Sequence, residues 1–458
     1  MTKPKTAVII LAAGASTRMK SALPKVLHPL AGRPLIEHLL ETARGLKPER
    51  LVVVVGPGMG AVADAVASVA ASVATVVQDE PLGTGHAVMA ARSELEGFNG
   101  AEDRVLILCG DTPLVTGESL EALVQALEGE SSPAVAVLGM RVSAPHQYGR
   151  LVTIEGGGLE AIVEDADCTP EERQNELCNS GVMAVAAKHL YPLLEAVSND
   201  NAKGEFYLTD MVARAREQNL TCVYREVAES ELLGINSREE LARAEAVLQG
   251  RLRAEAMAGG VTMTDPETVW LSFDTVLGRD VTIEPHVFFG PGVTVGDGVC
   301  IRGFCHMEGV AVAADAVIGP FARLRPETTI GRGAHVGNFV EIKKSEIGEG
   351  AKANHLSYIG DAVVGAAANI GAGTITCNYD GFTKSLTEIG QGTFIGSNTA
   401  LVAPVKVGAG AIVGAGSVIS RDVAAEALAM TRAELTEQAG WAAGYRERHG
   451  PKKTKKKR

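Results

Sequence analysis

Apolar residues recur at every sixth position over most of the second half of the chain. The recurring positions are Leu277, Ile283, Phe289, Val295, Ile301, Ile318, Leu324, Ile330, Val336, Ile342, Ile389, Ile395, Leu401, Val407, Val413 and Ile419. A six-residue period with frequent glycines is typical of a β-solenoid, in which one large residue per short strand fills the axis and small residues permit the turns. So many positions in phase predict a left-handed parallel β-helix of hexapeptide repeats, an exception to the right-handed rule for parallel crossovers.

The first half of the chain alternates between two other patterns. Four apolar runs have the character of strands buried on both faces: TAVIILAAG, LVVVVG, RVLILCGD and PAVAVLGM. Helical periodicity marks the stretches PLIEHLLETAR and ESLEALVQALE. This alternation predicts a Rossmann-like α/β domain with a mostly parallel sheet, whose ligands bind beyond the carboxyl ends of the strands. The loops at Gly14, at residues 83–85 and at residues 109–111 fall there.

A strong helix former separates the two patterns. Ser237 and Glu240 have the spacing of a capping box at the start of SREELARAEAVLQGRLRAEAM. We therefore expect a first domain over residues 1–238, a linker helix over 239–259 and the solenoid domain over 260–458.

Composition narrows the class of protein. The 458 residues carry a formal net charge of −12, so nucleic acid is not an expected partner, and the basic run from Lys452 to Arg458 is interpreted as a solvated tail. The seven cysteines form no CxxC pair, which disfavours a zinc site or a disulfide framework. Because the chain has neither a transmembrane-length apolar run nor a signal-peptide pattern, we expect a soluble cytoplasmic protein without membrane association.

The loop LAAGASTRMKSALPKVLH, residues 11–28, follows the first predicted strand and carries Arg18, Lys20 and Lys25. Loops of this kind after a strand commonly hold phosphate. The loop is not a Walker motif, because Met19 stands where the second glycine must be, and the dinucleotide pattern GxGxxG is absent. On this loop alone, a plain strand-to-helix turn with surface cations remains an alternative.

The same loop resembles the opening of sugar-1-phosphate nucleotidylyltransferases, L-A-A-G-x-G-T-R-M followed by P-K, with Ser16 where a glycine is usual. The segments that follow in that family's order are PLGTGHA, CGDTPL, YGR, IVEDADCT, CNSGV and GIN. The solenoid half carries RLRPET, HVGNFVEIKKS, HLSYIGDA, NIGAGTITCNYDG and LVAPVKVGAGA. Over nearly the full length the chain therefore resembles the family of bifunctional N-acetylglucosamine-1-phosphate uridyltransferases and glucosamine-1-phosphate acetyltransferases.

This resemblance implies two consecutive reactions on small-molecule substrates. Acetyl-CoA acetylates glucosamine 1-phosphate, and UTP then transfers UMP to N-acetylglucosamine 1-phosphate with release of pyrophosphate. The product, UDP-N-acetylglucosamine, feeds the synthesis of peptidoglycan and lipopolysaccharide precursors. The resemblance also implies a homotrimer, because solenoids of this family usually trimerise with their active sites between neighbours.

Uridylyl transfer is an in-line displacement that needs charge neutralisation and alignment more than a protein nucleophile. Arg18 and Lys25 suit the triphosphate, and Asp111 at a strand's carboxyl end suits Mg²⁺, its alternative role being to cap the next turn. The resemblance implies Asn236 as a second metal ligand. The nucleotide-sugar site that it implies comprises Leu11, Ala12, Ala13, Gly14, Lys25, Gln78, Gly83, Thr84, Cys109, Gly110, Asp111, Gly149, Glu164, Asn179 and Asn236.

Acetyl transfer requires a base, because the amine must lose a proton to attack the thioester, whereas the thiolate leaves readily. His355 in ANHLSYIG is the candidate base, while His286 and His335 are interpreted as residues that fill solenoid turns. Arg325 and Lys343 suit the phosphate of the sugar. The resemblance implies that Tyr358 and Asn369 orient the sugar, and that coenzyme A is bound by Ala372, Asn378, Tyr379, Ser397, Ala415 and Arg432.

Two other functions stay open at this point. A single-function nucleotidyltransferase would use the β-helix for structure or regulation, and a scaffold subunit would keep both folds without catalysis. Lys25 and Asp111 argue against the scaffold, and His355 with Lys343 argues against a purely structural β-helix.

Overall fold

A computed structural model of the chain describes residues 4–14, 17–128, 132–143, 147–155 and 157–450. Ser16 and the basic tail from Lys452 to Arg458 lie outside these ranges. The described chain divides into two compact units. Unit 1 extends to Glu255 and includes Leu271–Phe273, whereas unit 2 comprises Ala256–Trp270 and the chain from Asp274 onward.

Unit 1 is built on a mostly parallel sheet. The strands of unit 1 are β1 (Thr6–Ala12), β2 (Pro29–Leu30), β3 (Arg33–Pro34), β4 (Arg50–Val55), β5 (Ala74–Val77), β6 (Arg104–Cys109), β7 (Val135–Arg141), β8 (Arg150–Thr153), β9 (Leu159–Val163), β10 (Leu177–Ala186) and β11 (Cys222–Glu226). Of these, β2 and β3 form a separate two-stranded sheet. The main sheet has the order β11-β7-β10-β6-β1-β4-β5, with β8 and β9 continuing beside β10. β1 runs parallel to β4 and β6, and β10 runs antiparallel to β6 and β7.

Helices cover both faces of this sheet. They are α1 (Leu35–Gly45), α2 (Gly60–Val69), α3 (Thr84–Ala90), α4 (Gly117–Gln125), α5 (Ala187–Glu195) and α6 (Asp210–Glu217). A seventh helix, α7 (Arg238–Ala258), shares a separate buried cluster with Leu30 and Leu35. Ile9 of β1 shares a buried cluster with Val88 of α3, whereas its neighbour Ile10 shares another with Leu39 of α1. A strand that is buried on both faces explains the unbroken apolar runs, and the predicted α/β fold is confirmed.

The start of α7 shows the predicted capping box. Ser237 N donates to Glu240 Oε2 at 2.8 Å, and Glu240 N donates to Ser237 Oγ at 3.2 Å. These reciprocal bonds satisfy two backbone N–H groups that the first helical turn leaves without partners.

Unit 2 consists mainly of short parallel strands. They are β12 (Thr262–Met263), β13 (Val276–Leu277), β14 (Thr282–Ile283), β15 (Phe288–Phe289), β16 (Thr294–Val295), β17 (Cys300–Ile301), β18 (His306–Met307), β19 (Val310–Val312), β20 (Val317–Ile318), β21 (Arg323–Leu324), β22 (Thr328–Ile330), β23 (His335–Asn338), β24 (Glu341–Ile347), β25 (Lys352–His355), β26 (Tyr358–Val364), β27 (Asn369–Ile370), β28 (Ile375–Cys377), β29 (Thr387–Ile389), β30 (Phe394–Ile395), β31 (Ala400–Val402), β32 (Val405–Val407), β33 (Ile412–Val413), β34 (Val418–Ile419) and β35 (Leu428–Ala429). A final helix, α8 (Trp441–His449), follows them.

Successive coils of unit 2 stack in register. Ile283 pairs with Ile301, and Ile301 pairs with Ile318, so one coil takes 18 or 17 residues, about three hexads. All three side chains are fully buried, as expected of residues that fill the solenoid axis. Leu277 is only partly buried, because its strand β13 belongs to the first coil and pairs on one side, with β16. The parallel β-helix predicted from the six-residue period is confirmed.

Candidate functional site

A cavity of about 360 Å³ opens in unit 1 beside the carboxyl ends of β1 and β6. The loops after these two strands lie side by side because the strands pair in parallel, with Leu11 opposite Cys109. The predicted nucleotide-binding residues that line the cavity are Leu11, Ala12, Ala13, Gly14, Lys25, Gln78, Gly83, Thr84, Cys109 and Asp111. This is where ligands bind in open parallel sheets.

Lys25, Asp111 and Asn236 meet beside this cavity. Lys25 Nζ lies 2.6 Å from Asp111 Oδ2 and 2.8 Å from Asn236 Oδ1. The exposed fraction of the side chain is 16% for Lys25 and 23% for Asp111, so water screens this ion pair less than an exposed one. The chain thus gathers two oxygen ligands around one positive charge, although the residues are far apart in sequence.

A backbone contact places Asn236 beside Asp111. Ile235 N donates to Asp111 O at 2.9 Å, which aligns the segment before α7 with the loop after β6. Asn236 N donates to Glu240 Oε2 at 2.7 Å, and Glu240 is also the capping residue of α7. The position of Asn236 is therefore fixed by the way this helix begins.

A tight loop forms another wall of the cavity. Gly83 has a φ of +108°, and a Cβ atom there would lie 2.6 Å from Phe206 O. Phe206 is held at this distance because its N–H donates to Leu82 O and its O accepts from Gly85 N, both at 2.8 Å. The same clamp brings Glu205 to the cavity wall, a contact that no sequence motif predicts.

Gln78 is buried at the same wall. Its Nε2 donates to Gly83 O at 3.0 Å and lies 3.1 Å from His86 Nδ1. With Nε2 engaged in this way, the amide presents its Oε1 as a hydrogen-bond acceptor.

Gly149, Glu164 and Asn179, which belong to the predicted nucleotide-sugar site, form a second group. Asn179 N donates to Gly149 O at 2.7 Å, and a Cβ atom at Gly149 would lie 3.5 Å from Glu164 Oε1. Glu164 Oε1 accepts a hydrogen bond from Thr209 Oγ1 at 3.0 Å. Burial raises the pKa of Glu164, and the Thr209 hydroxyl opposes this shift because it stabilises the carboxylate.

Cys109 is a neutral part of the cavity wall. Its Sγ lies 3.5 Å from Gly181 O, and burial raises the pKa of its thiol to about 12. The thiol therefore acts as a small apolar surface and not as a nucleophile.

Arg18 and Gly110 are placed differently from the other predicted residues. Arg18 is exposed, and its Nη1 donates to Gln147 Oε1 at 2.5 Å instead of lining the cavity. Gly110 N donates to Leu11 O at 2.9 Å, so its contact supports the loop from behind.

Cations gather along one part of the solenoid in unit 2. Arg325 Nη1 pairs with Glu341 Oε1 at 2.9 Å. A side-chain hydrogen bond with Lys384, and then the repulsion between the two positive charges, lower the pKa of Lys343. A bound anion would relieve that repulsion. Lys384 is missed by the sequence motifs, although it lies in the loop that interrupts the six-residue period.

The loop between β28 and β29 has a defined turn. Asp380 Oδ1 accepts from the N–H groups of Phe382 and Thr383 at 2.8 and 2.7 Å, and these bonds lower the pKa of Asp380. At the base of the loop Asn378 Nδ2 donates to Asp361 Oδ2 at 2.5 Å, and both side chains are buried. The predicted residue Asn378 is thus anchored at the base of a projecting loop.

His355 lies at the end of β25, next to a corner of the coil. Its Nδ1 is 2.8 Å from Asn338 Oδ1. After the corner, Tyr358 stands opposite Glu341, the ion partner of Arg325. Asn369 begins β27, the strand that pairs with β25. The candidate base and the candidate sugar residues therefore belong to neighbouring coils.

The predicted coenzyme A residues follow one edge of the solenoid. Ala372 O accepts from Asn398 N at 2.7 Å, and Ser397 O accepts from Gly416 N at 2.8 Å, so Ala372, Ser397 and Ala415 occupy equivalent places on successive coils. Arg432 Nη2 would lie 3.7 Å from a Cβ atom at Gly414, beside Ala415. Tyr379 is 59% exposed.

All seven cysteines are free thiols. In the described ranges, no three His, Cys, Asp or Glu side chains are grouped so that they could hold a metal ion by themselves. Within those same ranges, no helix has both the length and the apolar character that crossing a membrane requires.

The fold and the sites define a nucleotidyltransferase unit followed by a hexapeptide transferase unit. The model of the MobA-like NTP transferase domain matches residues 8–217. The sequence model of a second family, bacterial transferase hexapeptide (six repeats), matches residues 274–309 and 386–421.

Relatives match over the full chain. The Bifunctional protein GlmU of Rhodospirillum rubrum is 63% identical over 442 residues, which cover 96% of this chain and 97% of the relative. The protein of the same name from Paramagnetospirillum magneticum is 58% identical over 456 residues, covering 100% of both chains. That from Azorhizobium caulinodans is 53% identical, covering 99% of this chain and 100% of the relative. This chain belongs to the GlmU family of bifunctional proteins.

The raised pKa of Glu164 leads to a prediction about stability. The folded state favours the protonated form, so folding loses free energy as the pH rises above 4.5, the usual value of this carboxyl. Glu164→Gln keeps an acceptor for Thr209 but carries no charge. We expect it to stabilise unit 1 relative to the parent protein, more at pH 7.5 than at pH 5.

Calorimetry measures this difference. The transition of unit 1 is identified by following tryptophan fluorescence over the same temperature range. Both tryptophans, Trp270 and Trp441, belong to unit 2, so a calorimetric transition without a fluorescence change belongs to unit 1. Glu155→Gln, at an exposed position of unit 1, corrects for the loss of one negative charge. An advantage of Glu164→Gln that shrinks with rising pH would contradict the prediction.

Proposed function

We propose that the chain carries out both reactions that its motifs imply. Unit 2 acetylates glucosamine 1-phosphate with acetyl-CoA, and unit 1 transfers UMP from UTP to N-acetylglucosamine 1-phosphate and releases pyrophosphate. We assign these activities to residues 260–458 and 1–238, joined by the linker helix over 239–259, and place them in the cytoplasm. The observation that supports the proposal most directly is the meeting of Lys25, Asp111 and Asn236 beside the cavity.

In unit 1 an oxygen of the sugar phosphate attacks the α-phosphorus of UTP, and the bond to pyrophosphate breaks. The backbone N–H groups of Ala12–Gly14 and the Lys25 ammonium offset the negative charge of the phosphates. Arg18, exposed at the start of the same loop, adds a second positive charge. Gln78 Oε1 accepts from the N3–H of uracil, because its Nε2 is engaged by Gly83.

Glu164 and Asn179 hold the sugar in this proposal. The Glu164 carboxylate is kept in place by Thr209 and accepts hydrogen bonds from sugar hydroxyl or amide groups. Glu164 lies near Cys109, which lines the cavity. In this proposal the sugar phosphate therefore approaches the nucleotide from the side of Cys109.

Asp111 and Asn236 are the residues that hold Mg²⁺ in this proposal. Their side-chain oxygens already converge on a positive charge, Lys25 Nζ, at 2.6 and 2.8 Å. Two oxygen ligands suit an ion that keeps several waters and takes further ligands from phosphates. When bound, the ion would supply positive charge that offsets the negative charge developing on the phosphates during transfer.

In unit 2 the amine nitrogen of glucosamine 1-phosphate attacks the carbonyl carbon of the thioester. The nitrogen gives its proton to His355 Nε2, and the carbon–sulfur bond breaks to release coenzyme A. Arg325, Lys343 and Lys384 bind the phosphate of the sugar, a role supported by the repulsion between the two lysines. The residues that orient the sugar are Tyr358 and Asn369, and those along which coenzyme A lies are Ala372, Asn378, Tyr379, Ser397, Ala415 and Arg432.

We propose that the chain assembles as a homotrimer through unit 2. A stack of aromatic rings runs along one corner of the solenoid, with ring centroids 4.9 Å apart for Phe304–Phe321 and 5.2 Å apart for Phe321–Phe339. These three side chains are 54%, 45% and 55% exposed. A contiguous exposed apolar surface of this kind commonly marks an interface. The stack ends beside Asn338 and His355, which agrees with active sites between neighbours.

Sedimentation equilibrium of the full chain is expected to give the mass of three chains. Phe321→Ser removes the middle ring of the stack and is expected to weaken assembly. Val276→Ser makes the same kind of change at an exposed position away from the stack and is expected to leave the trimer intact. A stable monomer, or a trimer equally resistant in both variants, would contradict the proposed interface.

Asp111→Ala is expected to abolish UDP-sugar formation and to leave acetylation unchanged, because it removes a carboxylate from the phosphate site of unit 1 alone. The two half-reactions are measured separately, as pyrophosphate release from UTP and as thiol release from acetyl-CoA. Asp64→Ala, at an exposed position of α2, is the control. If Asp111→Ala retains uridylyl transfer at saturating Mg²⁺, the assignment of Asp111 as a metal-binding residue is wrong.

The thiol assay on the parent protein also tests the alternative function. A single-function nucleotidyltransferase with a structural β-helix releases no coenzyme A when glucosamine 1-phosphate is added. Thiol release that depends on that sugar supports two activities.

A further inference from the structure

Asn338 is the polar neighbour of the candidate base. His355 Nδ1 and Asn338 Oδ1 are 2.8 Å apart, a normal hydrogen-bond length. Asn338 lies in the segment HVGNFVEIKKS, but the sequence alone assigns it no role. Within the described part of the chain, the other ring nitrogen, Nε2, has no hydrogen-bond partner, so the ring is held from one side.

The backbone holds both residues in fixed positions. Asn338 of β23 and His355 of β25 are direct partners in the parallel ladder, one coil apart. Leu356 N donates to Asn338 O at 3.0 Å, and Ser357 Oγ donates to His355 O at 2.9 Å. The geometry of the pair is therefore set by the stacking of the coils and by the hydrogen bonds of the two residues after His355.

The hydrogen bond selects one form of the imidazole. A neutral imidazole carries a single N–H, and the other nitrogen is the acceptor. An amide oxygen at Nδ1 favours the form with the proton on Nδ1, which leaves the lone pair on Nε2. This is the arrangement in which a histidine acts as a base through Nε2, because the group at Nδ1 fixes both the protonation and the direction of the ring.

We propose that Asn338 is a positioning residue for acetyl transfer, which holds His355 with its proton on Nδ1 and its Nε2 lone pair directed at the substrate amine. This inference rests on the proposed role of His355 as the base. An uncharged amide suits the task, because a carboxylate at the same place would favour the protonated ring, which cannot accept a proton. The titratable side chains on the flanking strands are Lys352 on β25 and His335 on β23, and β27 contributes none.

Two substitutions separate positioning from a structural role. Asn338→Leu has a similar size but offers no acceptor, so the ring can turn and change tautomer. Removing a base costs about 100- to 10,000-fold, so we expect this loss of orientation to lower kcat by at least about tenfold. The KM for acetyl-CoA is expected to change little, since the thioester does not contact this amide in the proposed mechanism.

Asn338→Asp keeps the acceptor and adds a negative charge. We expect it to retain kcat near that of the parent at high pH and to move the acid limb of the pH–rate profile to higher pH. The direction follows because a carboxylate favours the imidazolium, so a higher pH is needed to free Nε2. A purely structural role for Asn338 would not move that limb.

Three controls accompany these variants. Gln391→Leu makes an amide-to-leucine change at an exposed position of the same solenoid and is expected to keep full activity. Tryptophan fluorescence on urea unfolding verifies the folding of unit 2. His355→Ala in the same assay tests the base itself.

Each outcome has a distinct meaning. If Asn338→Leu stays within about twofold of the parent kcat while His355→Ala is inactive, the positioning role of Asn338 is wrong. The role of His355 as the base is then still supported. An acid limb of Asn338→Asp that coincides with the parent's overturns the positioning role as well, and this variant remains informative if Asn338→Leu does not fold. An active His355→Ala overturns the proposed base first.

Discussion

Parallel strand pairing is the constraint on which both halves of this protein depend. In a parallel sheet the strands end at the same edge, so residues that follow different strands meet although they are distant in sequence. In unit 1 this places the loop after β1 beside the loop after β6, where Gly14 and Asp111 face one cavity. In unit 2 the same pairing stacks coil upon coil, so that Asn338 and His355 become neighbours.

Local charge at these sites opposes the charge of the whole chain. The protein has a formal net charge of −12, yet the proposed substrates are anions. In unit 1 the Lys25 ammonium contacts the side-chain oxygens of Asp111 and Asn236 and lies at the cavity wall. In unit 2 Lys343 and Lys384 are held together against their own repulsion, and a phosphate would be attracted to both.

Much of the fold could be predicted because its patterns are periodic. The six-residue period predicts the axis residues of the solenoid, and only Leu277, on the first coil, is less buried than expected. The apolar runs predict a mostly parallel sheet, and Ser237 with Glu240 predicts the start of α7. Asp111 could be singled out by its place after a strand, whereas Asn236 and Glu164 required the resemblance of whole motifs.

The residues that sequence missed owe their places to contacts between distant segments. Glu205 reaches the cavity because the backbone of Phe206 is clamped to the loop at Gly83, and nothing in the sequence around it marks this. Lys384 lies beside Lys343 through a loop whose turn is set by Asp380. Asn338 meets His355 through the register of the coils. Arg18 is hydrogen-bonded to Gln147, a contact that the sequence does not indicate, and Ser16 lies outside the described residues.

The central claim is that one chain holds two independent active sites, and the half-reactions of two variants test it most directly. Lys25 and His355 belong to different units, so their effects should be independent. We expect Lys25→Ala to lose uridylyl transfer and to keep coenzyme A release. His355→Ala is expected to lose acetylation by about 100- to 10,000-fold and still to convert supplied N-acetylglucosamine 1-phosphate. If either variant loses both half-reactions while it remains folded, the two-site account is wrong.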